Sequence, residues 1–351
     1  MSTIQELDKN LAVDPAASRE GMVFHDIKAA PFKIYGMMYE GNLFRRMPEA
    51  VAASVSDAVN RLSRNTAGGR VRFKTNSPYV IIKPILPNNV RFAHMAATNM
   101  LGFDMYVSEN GGPQRFTKTF IPPLKFEEYY TSAFDFADDS MRTITINFPC
   151  YGEVHDFYIG IKEGSELLPP EDYKIDKPMV YYGSSITQGG CASRPGTSYQ
   201  AHISRWFDAD YINLGFSGNG RGEPAASEYI ANLEMSAFIM DYDHNAPTIE
   251  HYRATHEPFF KAVREKNPDL PIIIMTRPKI NLSDSEIERI DIAKTTYTKA
   301  YAAGDKNVYF IDGRELMCEE GTVDNCHPTD LGFMAMANRL AVALDKIFKR
   351  I

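Results

Sequence analysis

The stretch that decides the fold is MVYYGSSITQGG, residues 179–190. Its four apolar or aromatic residues end at a glycine, and two serines and a polar, Gly-rich segment follow at once. A short apolar run of this kind is typical of a strand buried in a parallel sheet. Ligands bind outside the carboxyl ends of such strands, so a serine at this position is a candidate nucleophile.

The same pattern continues to the end of the chain. Further apolar runs begin at Tyr211, Ala237, Ile272 and Val308, and a segment with helical spacing of apolar residues follows each of them. Together with MVYY, strand and helix therefore alternate five times. This alternation predicts an α/β domain whose parallel sheet is covered by helices on both faces.

The front half of the chain has a different period. Short runs of alternating polarity, such as VRFKT at Val71 and TITINF at Thr143, are separated by Pro, Gly, Asn and Asp. They predict an antiparallel β-sandwich of the jelly-roll kind, interrupted by one helix-like insertion near Pro48. The Pro-rich segment LLPPEDYKIDKP separates the halves. We therefore expect an N-terminal extension at 1–20, a β-sandwich domain at 21–172 and an α/β domain at 173–351.

Composition excludes several kinds of partner. The net charge is −7 and no dense Lys/Arg cluster is present, which argues against nucleic acid or an anionic membrane surface. No stretch approaches the roughly 20 apolar residues needed to span a bilayer, and the N-terminus has no signal-peptide pattern. We therefore expect a cytoplasmic protein. The polar first twenty residues have no evident intramolecular role, which leaves homo-oligomerisation open.

No cofactor is expected from the motifs. The four cysteines, at positions 150, 191, 318 and 326, have no CxxC spacing, so we expect free thiols and neither disulfides nor a structural zinc. Cys326 beside His327 gives only two adjacent ligands. The chain has no GxxxxGK[ST], and GFSGNGRG lacks the GxGxxG order of a dinucleotide-binding turn.

Polar residues at the predicted strand ends suggest nucleophilic catalysis. A serine nucleophile needs a base and a group that orients this base. Asp324 and His327, three residues apart in DNCHP, can supply both, with Nδ1 held by the carboxylate and Nε2 facing one of the two serines. The GFSGNG loop, which contains Gly218, and the side chain of Asn245 can donate hydrogen bonds to an oxyanion.

Each of these residues also has an ordinary structural interpretation. Ser185 can cap a helix, Asp324 can form a turn, and Asn245 can satisfy loop backbone groups. GSSIT does not match the GxSxG elbow of α/β-hydrolases, because Thr187 stands at the second Gly. Only the joint order of the residues favours catalysis.

GSSITQG, GFSGN, DYDHNAP and DNCHP, in this order, resemble four sequence blocks of the SGNH hydrolases, the GDSL-like esterase and acylhydrolase superfamily. The resemblance implies that Ser185 is the nucleophile and that Asp324 and His327 complete a triad. It also implies that the N–H groups of Ser185 and Gly218 and the Asn245 side chain form the oxyanion hole. Ser184 stands where the GDS motif has an Asp that is not a triad member.

GFDMYVSENG, which begins at Gly102, resembles the GxDLY motif of a β-rich domain that precedes one branch of these hydrolases, with Met105 in place of Leu. This domain arrangement is similar to several carbohydrate acetylesterases and to an acyltransferase branch that acts on natural products. The β domain is then either a wall that shapes the substrate site or a scaffold or oligomer surface.

We therefore expect a serine esterase that removes short acyl groups, acetyl above all, from sugars or glycosides. The predicted loops are polar and have no broad apolar stripe for a long acyl chain, which would be stabilised by roughly 0.8 kcal/mol per buried CH₂. Their charged residues are the candidate substrate contacts, namely Arg194, Arg221, Asp243 and His244. The alternatives are an acyltransferase with an alcohol acceptor and, more remotely, a non-catalytic carbohydrate-binding protein.

Overall fold

The computed structural model describes residues 16–348. Most of the predicted N-terminal extension, residues 1–15, lies outside this range. The strands of the front half are β1 (Met22–Asp26), β2 (Lys33–Tyr35), β3 (Met38–Glu40), β4 (Leu43–Arg45), β5 (Arg70–Thr75), β6 (Tyr79–Ile85), β7 (Phe103–Ser108), β8 (Arg115–Phe120), β9 (Ser132–Asp135), β10 (Arg142–Asn147), β11 (Asp156–Lys162) and β12 (Leu167–Leu168). Its short helices are α1 (Glu49–Val55), α2 (Asp57–Ser63) and α3 (Ala97–Met100).

These strands form the predicted sandwich, here called the β domain (residues 22–168). One antiparallel sheet has the order β1-β11-β6-β9, and the other has the order β12-β5-β10-β7-β8, with β2 also paired to β5. Residues of both sheets, such as Phe73, Ile82 and Ile159, share one apolar core. Every residue of β7 and β10 is buried, so the centre of the second sheet is covered on both faces.

The second half, here called the α/β domain (residues 175–348), alternates strands and helices as predicted. Its strands are β13 (Ile175–Gly183), β14 (Ala209–Gly215), β15 (Ala237–Asp241), β16 (Ile272–Met275) and β17 (Val308–Ile311). Its helices are α4 (Ser185–Gln188), α5 (Tyr199–Phe207), α6 (Pro224–Ala231), α7 (Ile249–Lys266), α8 (Asp284–Ala302) and α9 (Asp330–Phe348).

A parallel sheet of order β14-β13-β15-β16-β17 forms the centre of this domain. Alternate side chains of β13 point to opposite faces, as in any strand. Val180 and Tyr182 enter a core shared with α6, α7 and α8, whereas Met179 and Tyr181 enter one shared with α5 and α9. The prediction of a parallel sheet covered on both faces is therefore confirmed.

The helical insertion in the β domain packs across the domain boundary. Met47, Ala52 of α1 and Val59 of α2 are fully buried in the core of the α/β domain, beside Leu214 and Ile230. The helical insertion therefore belongs to the front half of the sequence but packs as part of the α/β domain.

The GxDLY-like motif also holds the two domains together. Asp104 of β7 has no exposed side-chain surface and accepts hydrogen bonds from Arg194 Nη1, at 2.7 Å, and from the Gly196 N–H, at 2.8 Å. The same guanidinium donates to the Tyr106 hydroxyl at 2.6 Å and lies 4.0 Å from the ring centroid of Phe116. A buried carboxylate needs such partners, which explains why an Asp stands in a strand that is buried on both faces. Among residues 16–348, no helix is long and apolar enough to cross a membrane.

Candidate active site

The site lies where three neighbouring strands end. In the parallel sheet, Gly183 of β13 is in register with Gly215 of β14 and with Asp241 of β15. The loops that follow these strands therefore leave the sheet side by side. Sequence segments far apart in the chain, GSSIT, GFSGN and DYDHN, meet at this edge for that reason.

Gly183 is required by the close approach of the backbone at this point. A Cβ at this position would lie 2.1 Å from both the Asp241 carbonyl oxygen and Thr187 Oγ1. No side chain can be accommodated at that distance, so the strand that precedes the two serines has to end in glycine.

The two serines have different surroundings. Ser184 is the N-cap of α4: its Oγ accepts the N–H of Ile186 at 3.1 Å, and its own N–H donates to Thr187 Oγ1 at 3.1 Å. The interpretation of Ser185 as the cap is therefore wrong. Ser185 is the first helical residue, and its Oγ lies 2.9 Å from His327 Nε2.

The structure brings Asp324, His327 and Ser185 into one hydrogen-bonded chain. His327 Nδ1 lies 2.7 Å from Asp324 Oδ2, while Asp324 Oδ1 accepts the N–H groups of His327, at 2.7 Å, and Cys326, at 3.1 Å. Burial alone would raise the pKa of Asp324, but the hydrogen bonds from His327 outweigh it and lower this pKa below its usual value. An ionised carboxylate only accepts, so Nδ1 carries the proton and Nε2 is free to accept from the Ser185 hydroxyl.

The loop that carries His327 is held by its own backbone. The N–H of Val323 donates to the His327 carbonyl at 2.9 Å. The N–H of Thr329 donates to the Gly321 carbonyl at 2.8 Å. Asn325 at the tip adopts a left-handed φ of 65°, which Asn tolerates better than most residues. The turn thus holds the Asp324 carboxylate beside the His327 imidazole.

Gly218 and Asn245, the predicted oxyanion donors, lie in two loops that are in contact with each other. Gly218 has a φ of 67°, and a Cβ there would meet no atom within 4 Å, so its outer side is open. Asn245 Nδ2 donates to the Phe216 carbonyl at 2.9 Å, and the same oxygen accepts the N–H of Asn219. An amide NH₂ has a second hydrogen to donate. The role of both residues at an oxyanion stays a prediction.

A cleft of about 550 Å³ opens at His327, between the two domains. The α/β domain contributes Ser217, Asn219 and His327. The remaining lining comes from the front half of the chain: Arg61, Leu62, Asn65, Asn88, Val90, Phe92, His94, Met95, Met100, Tyr151 and Glu153. The β domain therefore forms a wall of this cleft.

The four predicted substrate contacts, by contrast, do not line this cleft. Arg194 is engaged at the domain interface, and the Arg221 side chain donates to the Gly218 carbonyl from the surface. Asp243 is fully buried and forms an ion pair with Arg277 at 3.0 Å. Its assignment to substrate was wrong, because both carboxylate oxygens of Asp243 are buried and bonded to the Arg277 guanidinium. His244 is half-buried, and the loss of solvent around it lowers its pKa to about 4.

The sequence interpretation missed the residues of the β domain that contact the segment of Ser185. The hydroxyl of Tyr151 donates to the Ser185 carbonyl at 3.4 Å. Asn99 Nδ2 donates to the Gly189 carbonyl at 2.9 Å. The apolar wall was missed as well, because only the loops after the predicted parallel strands were considered. The available signal in the sequence was the set of apolar residues Val90, Phe92 and Met95 in the segment that follows the run YVIIKPIL. In the structure, Val90 is 64% exposed and Phe92 is 46% exposed.

Two family models match this chain. Residues 176–345 match the GDSL-like lipase/acylhydrolase family, and residues 22–167 match the N-terminus of SGNH-hydrolase-type esterases, the GxDLY domain. The fold is thus that of an SGNH-type hydrolase. The chain belongs to the GDSL-like lipase/acylhydrolase family, in the branch that carries an N-terminal GxDLY domain. No sequence match to a curated protein was found.

Solved structures share the whole two-domain arrangement. A protein assigned as a GDSL-like lipase from Bacteroides ovatus has 29% identity and a TM-score of 0.84. A salicylyl-acyltransferase from a tetracycline biosynthetic pathway has 17% identity and a TM-score of 0.74. A family two carbohydrate esterase from Cellvibrio japonicus has 12% identity and a TM-score of 0.63. Each alignment covers 93% of this chain and 98% of the other. At these identities the last two similarities concern the fold alone.

Proposed function

We propose that this protein is a serine esterase that works through an acyl-enzyme, with Ser185 as nucleophile. The observation that carries the proposal is the chain of contacts from Ser185 Oγ to His327 Nε2, at 2.9 Å, and from His327 Nδ1 to Asp324, at 2.7 Å. Both distances are within hydrogen-bond range, and the order of the three groups is the one that activates a serine.

The proposed reaction has two halves. His327 Nε2 takes the proton of Ser185 as Oγ attacks the ester carbonyl, and the proton then passes to the leaving alcohol. In the second half, the same nitrogen takes a proton from water as the water oxygen attacks the acyl-enzyme carbonyl. It then passes this proton to Ser185 Oγ as the acid leaves. Asp324 orients the imidazole and stabilises its protonated form. The oxyanion is held by the N–H groups of Ser185 and Gly218 and by the Asn245 amide.

For the substrate, we propose a short acyl group, acetyl in the first place, on a sugar or glycoside. The cleft offers polar side chains that suit hydroxyl groups, among them Asn65, Asn88 and Glu153. It also offers the half-exposed ring of Phe92, on which the C–H face of a pyranose can pack. The shared fold with carbohydrate esterases agrees with this choice. We also propose a cytoplasmic location, since Cys150, Cys191, Cys318 and Cys326 are all free thiols.

An acyltransferase of the same superfamily is the second candidate. The observation that favours it is the apolar side of the cleft, because Leu62, Val90 and Met95 line the same cleft as His327. Such a surface can bind an apolar alcohol and displace water from the acyl-enzyme.

The test is a panel of esters with product analysis. We expect 4-nitrophenyl acetate to be cleaved faster than the octanoate, and acetylated xylo- or manno-oligosaccharides to be deacetylated, while a triglyceride emulsion is not cleaved. Addition of acceptor alcohols distinguishes the second candidate, because transfer products at modest acceptor concentration would identify an acyltransferase. The Ser185→Ala variant is the control. Faster cleavage of the octanoate would overturn the short-acyl assignment, and binding of sugars without any turnover would overturn the esterase.

A further inference from the structure

The side chains of His94, Cys191 and His327 converge beside the proposed catalytic base. One ligand atom from each, an imidazole nitrogen or the thiol sulfur, lies within 4.8 Å of the other two. His94 belongs to the β-domain wall of the cleft, and Cys191 follows the helix that carries Ser185. Three segments distant in the sequence therefore bring two imidazoles and a thiol to the mouth of the cleft.

The local contacts define which atoms face the common centre. The rings of His94 and His327 have centroids 5.8 Å apart, and Cys191 Sγ lies 3.5 Å from the His94 carbonyl oxygen. A Cβ on Gly190 would lie 3.2 Å from His327 Cδ2, the ring carbon next to Nε2. Because Asp324 holds Nδ1, the nitrogen that faces this centre is Nε2, the same one that contacts Ser185.

We propose that His94, Cys191 and His327 form an inhibitory binding site for a thiophilic divalent cation, Zn²⁺ in the first place. Two imidazoles and one thiolate are ligands that zinc prefers, and Mg²⁺ or Ca²⁺, which need oxygen ligands, would not compete. Zinc bonds of about 2.0–2.3 Å place tetrahedral ligand atoms roughly 3.5 Å apart, so side-chain rotation is enough to close the site.

The inhibitory effect follows from the lone pair that the metal would use. Binding at His327 Nε2 occupies the electron pair that accepts the Ser185 proton, so the serine loses its base. The Cys191 thiol loses its proton to solvent as the sulfur binds the metal. The ion enters through the cleft, where His94 is exposed. The effect on turnover rests on the proposed esterase function, whereas metal binding does not.

A second cluster in this region, Asp324, Cys326 and His327, provides a matched comparison. It lies on the Nδ1 side, and a metal there would have to displace the 2.7 Å contact between Asp324 and His327. We therefore assign the site to Cys191 and not to Cys326.

Binding is tested with Co²⁺ as a spectroscopic substitute for zinc, on the full chain. We expect one equivalent of Co²⁺ to produce a thiolate-to-cobalt charge-transfer band that Zn²⁺ abolishes. The band should be absent in Cys191→Ser, weakened in His94→Gln and retained in Cys326→Ser. No band in the wild-type protein, or a band that is lost in Cys326→Ser and kept in Cys191→Ser, would overturn the assignment.

Inhibition is tested on 4-nitrophenyl acetate, with each variant compared with its own metal-free rate. We expect Zn²⁺ to inhibit reversibly, with full recovery on addition of EDTA. Loss of a ligand should raise the inhibition constant about tenfold or more in Cys191→Ser and in His94→Gln, with little change in Cys326→Ser. If the protein hydrolyses the ester but binds no cobalt, the metal-site proposal is overturned and the esterase proposal stands. If the protein shows the cobalt band but has no activity, the esterase proposal is overturned and the metal site stands.

Discussion

The guanidinium of Arg46, in the front half of the chain, donates to the carbonyl oxygen of Gly215 at 2.6 Å and to that of Asn213 at 2.9 Å. Gly215 is the last residue of β14, so the loop with the predicted oxyanion donor Gly218 begins directly after this contact. The same side chain, which is fully buried, also donates to the carbonyls of Leu62 and Asn65. One arginine thus joins the helical insertion to the edge of the active site.

Replacement of Arg46 should destabilise the protein strongly. Arg46→Met keeps much of the volume but leaves four carbonyl oxygens without this donor, and one buried unsatisfied group already costs about 1–3 kcal/mol. We expect the free energy of unfolding in urea to fall by about 3 kcal/mol or more. Arg64→Met is the matched control, because its side chain is 38% exposed and should cost less than about 1 kcal/mol. Equal losses in the two variants would contradict the role of Arg46.

The two serines should respond differently to substitution. Ser185→Ala should lower kcat by on the order of 10⁴ or more, because it removes the proposed nucleophile. Ser184→Ala removes a helix cap and should cost about 1 kcal/mol of stability while most of the activity remains. Ester hydrolysis and thermal unfolding of both variants give the comparison, and mass spectrometry after fluorophosphonate labelling identifies the modified serine. Label on Ser184, or an active Ser185→Ala variant, would show that the assignment is off by one residue.

Asn245→Ala tests the oxyanion site. Loss of one donor to the developing oxyanion typically costs about 10² to 10³ in kcat, with a smaller effect on KM. Steady-state kinetics with a short acyl ester measure both constants. Asn232→Ala, at the exposed end of α6, is the control and should leave both unchanged. If kcat of Asn245→Ala stays at the wild-type value, the residue only supports the Phe216 loop.

A buried carboxyl at the end of β15 should make stability depend on pH. Burial raises the pKa of Asp241 from 3.8 to about 8, although the hydroxyls of Thr187 and Tyr199 donate to it. Between about pH 4 and pH 8 the unfolded chain releases this proton and the folded protein keeps it. The Asp241 contribution to stability is therefore complete below pH 4 and declines as pH rises towards 8.

Asp241→Asn removes this titration and keeps the shape of the side chain. We expect its melting temperature, relative to wild type, to increase progressively from pH 5 to pH 8. Scanning calorimetry across this range measures the difference, with Asp139→Asn at an exposed position as the control for the substitution itself. A difference that does not change with pH would mean that Asp241 is already ionised in the folded protein.

The sequence alone was sufficient for the local patterns. Period-two runs and helical spacing identified the sandwich and the parallel sheet, because backbone geometry imposes these periods on any half-buried element. The order of the blocks also led to Ser185, Asp324 and His327, which the structure places in hydrogen-bond contact. The choice between Ser184 and Ser185 as the helix cap needed the backbone angles, since either serine can cap.

Only the tertiary structure decided which residues surround the cleft at His327. Asp243 follows a strand, as a substrate contact would, yet it is buried beneath Arg277, and nothing in its local sequence indicates this partner. Phe92 and His94 line one cleft with His327, and contacts such as that between Asp104 and Arg194 join the two domains. Contacts of this kind depend on how two separate cores pack, and such long-range packing leaves no periodic signal in the sequence.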